Sequence, residues 1–143
     1  WWSEKDKKSY ETITNKIKSQ YSNYTLNGKK VNGELTLGEN IADLGGVSIS
    51  YHAFSKYLND NKEENITING FTPYQRFFIN YATIWRSSSR NKEIEKRLKI
   101  DPHSPPNFRV NGVLTNFTEF YKSFNVLKGD KLWKPEKDRI KIW

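Results

Sequence analysis

Residues Gly33 to Gly46 read GELTLGENIADLGG, and this stretch constrains the fold more than any other. It predicts a short extended segment, a tight turn at Gly38 and a helix running from near Glu39 to about Leu58. Glu39 and Asp43 stand four residues apart, so on a helix they lie one above the other on a single face. Two carboxylates stacked in this way repel unless something positive faces them. A bound cation, an arginine, or a histidine held by one of the carboxylates would resolve the conflict. Gly45 and Gly46 follow in the same helix at a cost of about 1 kcal/mol each relative to Ala, so the pair predicts a close-packed neighbour.

The rest of the chain reads as helices joined by loops with clear turn chemistry. Tyr10, Ile13, Ile17, Tyr21 and Tyr24 recur at helical spacing and predict a helix over Ser3 to Tyr24 with one buried face. Ser3 suits its N-cap, and Glu4 and Asp6 suit its first turn. Asn27-Gly28 is a turn signal, and Val31, Leu35 and Leu37 alternate with polar residues, predicting a short strand or hairpin. Asn59 to Gly70 is a polar loop. Thr72-Pro73 is an N-cap followed by proline at the first helical position. The heavy apolar face of Phe77, Phe78, Tyr81, Ile84 and Trp85 predicts the most buried helix of the chain. Asn91 to Ile100 predicts a short charged helix ended by Asp101-Pro102. Pro105 and Pro106 predict a fixed loop over His103 to Pro106. Arg109 to Leu114 leads into a last helix through Phe124, capped by Thr115 or Asn116 with Glu119 nearby. After a turn at Gly129-Asp130, Arg139 to Trp143 reads as an alternating extended end. The fold class is mainly α, one domain, helices around a core with a short hairpin or extended segments.

Composition narrows the chemistry. The chain has 143 residues and no Cys, which excludes disulfides and thiolate metal sites. No apolar run is long enough to cross a bilayer, and no signal peptide is visible. The formal net charge is +8, from 24 Lys and Arg against 16 Asp and Glu. The lysines are scattered rather than clustered, with no basic and aromatic interleaving, which argues against a nucleic-acid surface. The chain begins Trp1-Trp2 and holds no Met, so its start reads as a cut or trimmed end.

Two histidines are present, His52 and His103. His52 lies nine residues beyond Asp43, which turns it to the opposite helix face and makes it a structural or surface residue. Glu39, Asp43 and His103 are a poor set for catalytic zinc, which usually takes two histidines, and HExxH does not occur in the chain. Any metal would need further ligands from residues outside these. His103 has Asp101 two residues before it in a proline-locked loop, so a carboxylate there could orient the ring as a donor to an oxyanion. Arg109, six residues on, could hold a ligand carbonyl or carboxylate with its fork of donors. A local turn network is the plainer reading of the same residues.

GELTLGENIADLGG followed by DPHSPPNFRVNGVLTNFTEFYKSF closely resembles the C-terminal part of the neprilysin family of zinc endopeptidases. FFINYATIWR and the closing DRIKIW match as well, in the family's order, so the resemblance covers nearly the whole chain. It implies a C-terminal portion of the catalytic domain of a larger two-domain metallopeptidase, starting after the zinc-binding HExxH. On this resemblance Glu39 matches the third zinc ligand, and Asp43 the carboxylate that orients a zinc-bound histidine. His103 matches the histidine that stabilises the tetrahedral intermediate, with Asp101 as its orienter. Arg109 matches the arginine that binds a substrate backbone carbonyl. Ile84 and Trp85 match residues beside the pocket for the side chain after the scissile bond. Asn111-Gly112 belongs to the same motif. The implied cofactor is one zinc ion in the intact enzyme. The implied partners are peptide substrates and the missing N-terminal part of the same polypeptide, with no nucleic acid and no membrane segment in these residues.

The missing HExxH removes two zinc ligands and the general base, so the 143 residues alone are expected to be inactive. Arg86 and Asp138 stand where animal members tend to carry cysteines, which points to a bacterial-type, cytoplasmic member, with an extracellular or membrane-anchored parent as the alternative. The competing functional reading is a non-catalytic interaction module with a basic surface. An isolated chain of this kind is also expected to expose an unusual amount of apolar surface along the Phe77–Trp85 and Glu39 faces. Asn23-Tyr24-Thr25, Asn65-Ile66-Thr67 and Asn116-Phe117-Thr118 fit the glycosylation pattern, which is short enough to arise by chance.

Overall fold

The computed structural model describes residues 2–142; Trp1 and Trp143, one at each predicted end feature, lie outside them. Among the described residues are six α-helices and one hairpin with two-residue strands, in the order α1 (Glu4–Ser22), β1 (Thr25–Leu26), β2 (Lys29–Lys30), α2 (Leu37–Asp60), α3 (Pro73–Ile84), α4 (Asn91–Ile100), α5 (Pro106–Leu114) and α6 (Thr118–Phe124). Single turns of 3-10 helix cover Lys62–Glu64 and Glu136–Asp138. The chain is mainly α, as its sequence predicts.

The long α2 is the spine, about 36 Å at 1.5 Å per residue. Helices α1 and α5 pack against it, and α3 packs against α6. From α1 come Ile17 and Tyr21, from α2 Leu44 and Val47, from α3 Phe78, and from α5 Val113 and Leu114, all buried together. The predicted α1 stripe thus holds, with Tyr10 and Ile13 half-buried beside it. Tyr24 lies past the helix end and stacks on Phe108 with ring centroids 4.5 Å apart. At the C-terminus Ile140 and Ile142 are buried while Lys141 is exposed, the alternation expected of an extended end.

Several local expectations are corrected. The hairpin forms upstream of Val31, as Asn27 and Gly28 both take positive φ, 51° and 75°, the pairing that a two-residue hairpin turn requires. Residues 32–36 are not a strand. Asn32 Oδ1 accepts from the Glu34 and Leu35 amides, at 3.2 and 3.0 Å, and winds the backbone into a turn. Helix α2 therefore starts at Leu37, two residues early, with Gly38 inside its first turn. At Gly33 the backbone lies close against α1, since a Cβ there would meet Lys18 O and the Ser22 side chain.

The second proline of Pro105-Pro106 does not prolong the loop. Pro106 occupies the first turn of α5, where its missing N–H costs nothing, so Arg109 sits on a helix. The start of α3 matches expectation and adds a capping box: Gln75 N donates to Thr72 Oγ1 and Thr72 N donates to Gln75 Oε1. Yet α3 is not the most buried helix. Only Pro73 and Phe78 are buried in it, and Ile84 is 73% exposed. One side of α3 packs on α6 and on the α2 ring of Tyr51, and the other faces an open groove.

That groove, about 550 Å³, runs between α2 and α3 past Ala42, Gly46, Val47, Phe77 and Ile84. Gly45 is buried, but a Cβ at Gly46 would meet nothing within 4 Å. The close neighbour predicted for the glycine pair is thus absent at Gly46 among the described residues. No helix among those residues is long and apolar enough to cross a membrane.

Candidate active site

One edge of α2 gathers residues from three separate segments. Glu39, in the first turn of α2, and Asp43, one turn on, point to the same side, as their spacing predicts. The loop 101–105 brings His103 to Glu39, with Nε2 3.3 Å from Oε2. Helix α5 brings Arg109 to Asp43 in a two-pronged pair, Nε to Oδ2 and Nη2 to Oδ1, both 2.7 Å. Within the described residues, Asp43 is thus paired with a guanidinium and Glu39 faces an imidazole.

The Arg109–Asp43 pair is nearly enclosed, with side chains 12% and 9% exposed. Its planar fork matches the carboxylate, the geometry in which such pairs are strongest. The guanidinium also lies over the Trp85 ring, 3.7 Å from its centroid. Tyr81, one helical turn before Trp85, donates its hydroxyl to Arg109 O at 2.8 Å. Burial and the nearby Asp43 carboxylate push the Tyr81 phenol well above its ordinary range, so it remains a donor. Among the described residues Arg109 makes its side-chain hydrogen bonds through Nε and Nη2, and none through Nη1. Glu39 Oε2 lies 3.8 Å from Nη2.

His103 is oriented by Asp101. One oxygen, Oδ1, accepts from the His103 backbone N–H at 2.9 Å and faces its Nδ1 at 2.8 Å. The backbone bond from His103 is the main reason that the Asp101 carboxyl is held below its usual value, with the imidazole adding to it. Nδ1 faces an oxygen that only accepts, so it carries hydrogen, and Nε2 is aimed across the cleft. One oxygen of Asp101 thus both closes the loop's turn and contacts the ring.

Glu39 suits one position of a zinc site. Its side chain is 40% exposed at the cleft edge, and His103 at 3.3 Å and Arg109 at 3.8 Å both face Oε2, so neither occupies Oε1. The described residues hold no group of three His, Cys, Asp or Glu side chains placed around a metal ion. His52 is remote from the cleft, exposed on the far side of α2 with Nδ1 2.8 Å from Ser48 O.

Ile84 and Trp85 part company. Ile84 borders the α2–α3 groove, whereas Trp85 lines a second hollow, about 400 Å³, together with Arg109, His103 and Pro105. Sequence reasoning missed Tyr81 as a support for Arg109. Its spacing of four from Trp85 put both on one face of α3, which was the available signal.

Comparison with known proteins places the chain in a family. The family model for peptidase family M13 matches residues 1–140. The endothelin-converting enzyme homolog of Locusta migratoria is 41% identical over 134 residues, covering 92% of this chain and 18% of that protein. Human endothelin-converting enzyme 1 is 38% identical over 144 residues, covering 100% of this chain and 18% of that protein. The crystal structure of Mycobacterium tuberculosis zinc metalloprotease Zmp1 in complex with an inhibitor superposes with a TM-score of 0.95 at 41% identity, over 100% of this chain and 22% of that one. PepO from Lactobacillus rhamnosis superposes with a TM-score of 0.84 at 29% identity, over 100% and 21%. The chain thus spans about a fifth of the length of these relatives. With a family match over almost its whole length and the same fold in solved metallopeptidases, the chain belongs to peptidase family M13, the neprilysin-like metallopeptidases.

Proposed function

We propose that these residues form part of a zinc endopeptidase site in which Glu39 is one metal ligand and His103 and Arg109 act on the peptide. The observation that carries this is the meeting of Glu39 with His103 and Arg109 within 3.8 Å at one cleft edge, from two stretches of the chain far apart in sequence. Bound zinc in such a site supplies Lewis acidity and a water of lowered pKa. His103, with Nδ1 fixed on Asp101, presents Nε2 as a donor to the oxygen that becomes negative as the peptide carbonyl is attacked. Arg109, anchored on Asp43 and Trp85, uses its free N–H groups to hold a substrate carbonyl. Asp43 acts by fixing Arg109, and it stands where it can also accept from an imidazole arriving from outside these residues. Trp85 walls the hollow beside Arg109, and Ile84 the neighbouring groove, for a substrate side chain. The other ligands and the general base are proposed to lie elsewhere in the same polypeptide, with peptides as substrates. A cysteine-free sequence fits a chain that works without disulfides, as in a cytoplasm.

The test uses full-length protein, stripped of metal and reloaded with zinc, on an internally quenched peptide. Hydrolysis is expected only with metal, Glu39→Gln is expected to lose stoichiometric zinc, and His103→Gln is expected to keep zinc while kcat falls 100- to 1,000-fold. Metal-independent hydrolysis, or full zinc binding by Glu39→Gln, would overturn the reading.

A further inference from the structure

Behind the cleft, Asn40 and Ser104 form a hydrogen bond that no solvent reaches. Ser104 Oγ donates to Asn40 Oδ1 at 2.7 Å, with the two residues 3% and 1% exposed. Asn40 is among the largest fully buried side chains of the protein. Its amide is spent inward as well, Nδ2 donating to Thr36 Oγ1 at 2.9 Å, while Thr36 Oγ1 donates to Asn32 O at 3.0 Å. The chain of bonds therefore runs from the turn before α2, through the first turn of α2, to the His103 loop.

Sequence position gives the bond its meaning. Asn40 directly follows Glu39, and Ser104 directly follows His103. A step of one residue on a helix turns the side chain by about 100°, so Glu39 faces the cleft while Asn40 points into the core. Two residues that face each other across the cleft at 3.3 Å thus each have, as next neighbour, one member of a buried pair at 2.7 Å. Apart from the His103–Glu39 contact itself, this is the only side-chain hydrogen bond among the described residues that ties the loop 101–105 to α2. Asp101 orients the ring within the loop but does not fix the loop to the helix.

We propose that Asn40 and Ser104 are positioning residues: their buried hydrogen bond sets the separation and angle between Glu39 and His103. The inference rests on the zinc-peptidase reading for its kinetic consequence, but its structural consequence stands alone. A buried pair of this kind is rigid because either partner, left unpaired, has no water to turn to. Rigid placement is what a donor to a short-lived oxyanion needs, since a displacement of about 1 Å can cost 100-fold in rate.

The test substitutes Ser104→Ala in the full-length, zinc-loaded protein. Zinc per chain and KM are expected to stay within twofold of the parent, while kcat falls 10- to 100-fold. Ser104→Thr, which keeps the hydroxyl, is expected to retain kcat within threefold. Should the alanine variant fail to fold, Ser104→Cys, a weak donor of similar size, is expected to show the same loss. A Ser104→Ala protein with a lower Tm but an unchanged kcat would overturn the proposal, as would a folded Ser104→Thr protein as slow as Ser104→Ala. If the parent protein shows no metal-dependent hydrolysis, the peptidase reading fails and the crystal structure of the Ser104→Ala variant decides. A His103–Glu39 separation grown by about 1 Å upholds the positioning role, and one unchanged from 3.3 Å overturns it.

Discussion

Arg109 grips Asp43 through two 2.7 Å hydrogen bonds, 66 residues apart in sequence, while its guanidinium carbon lies over the Trp85 ring. The pair joins α5 to α2 at the cleft and is almost excluded from water. Removing one member of such a pair leaves a charge buried alone, a loss of about 3–5 kcal/mol.

Arg109→Lys is accordingly not conservative. Lysine keeps the charge but loses the second prong and the stacking surface. The variant is expected to unfold at lower denaturant, by about 2 kcal/mol, roughly half of the loss for a broken pair. Asp43→Asn, which leaves Arg109 unpaired, is expected to cost at least as much. Urea unfolding of the two variants, with the slope held to the parent's value, checks both.

Glycines separate the covered parts of the structure from the open ones. A Cβ at Gly33 would collide with Lys18 O, and one at Gly112 would sit 2.7 Å from the Tyr21 hydroxyl, whereas Gly46 has open space. Gly33→Ala and Gly112→Ala are expected to destabilise by about 1–3 kcal/mol, as overpacking does. Gly46→Ala in the 143-residue chain is expected to stabilise α2 by about 1 kcal/mol, the helix propensity difference. If another part of a longer polypeptide fills the groove, the same change there is expected to destabilise. Thermal melts of the two forms carrying Gly46→Ala measure this change of sign.

Much of this was legible in the residues, and the failures have physical causes. Thr72-Pro73 and Asn27-Gly28 carry their conformations in local chemistry, so α3 and the hairpin turn could be read directly. Pro105-Pro106 misled because a proline pair reads as loop, although the second proline is free to open a helix. Asn32 was silent, since an Asx turn shows only when its side chain is seen to bond two amides. The stacked carboxylates announced a positive partner, but no local pattern could name Arg109, whose fit depends on how α5 crosses α2. Ile84 reads both as part of the most buried helix and as part of a face awaiting a neighbour, and in the fold it is 73% exposed. The buried Asn116 shows the limit of motif reading. Its sequon is intact, yet its amide donates to Gly112 O and Gln20 Oε1, and its oxygen accepts from Lys134 Nζ and the Ile140 amide. A glycan on Asn116 has no room in this fold, whereas Asn23 and Asn65 are exposed.

The same asparagine anchors the C-terminal segment. Ile140 and Ile142 are 5% and 8% exposed, and Arg139 lies over the Tyr121 ring at 3.8 Å. Deleting residues 139–143 removes two buried isoleucines, each worth about 1.5–3 kcal/mol, and strips Asn116 of a partner. The truncated chain is expected to lose at least about 4 kcal/mol, a large share of ordinary domain stability. Circular dichroism melts and protease sensitivity check this, and a melting point within a few degrees of the parent's would rule it out.

Lys134 supplies a pH signature. Its ammonium reaches Gln20 Oε1 at 2.8 Å and Asn116 Oδ1 at 3.0 Å in a half-buried setting. Burial lowers its pKa below the ordinary 10.5, with Lys16 adding to the shift and Asp138 opposing it. A lysine whose folded pKa is depressed binds fewer protons folded than unfolded between the two pKa values, so stability rises with pH across that window. Below the depressed folded pKa both states are charged and the penalty of burying the ammonium is constant. Above 10.5 both are neutral and the penalty is gone. The stability of the parent relative to Lys134→Met is therefore expected to climb as pH rises toward 10.5 and to be flat near neutrality. Denaturant unfolding of the pair at matched ionic strength from pH 7 upward measures the difference, and because other lysines and tyrosines are common to both proteins their titration cancels. A difference that falls with rising pH would mean that the hydrogen bonds to Gln20 and Asn116 favour the charged form more than burial opposes it.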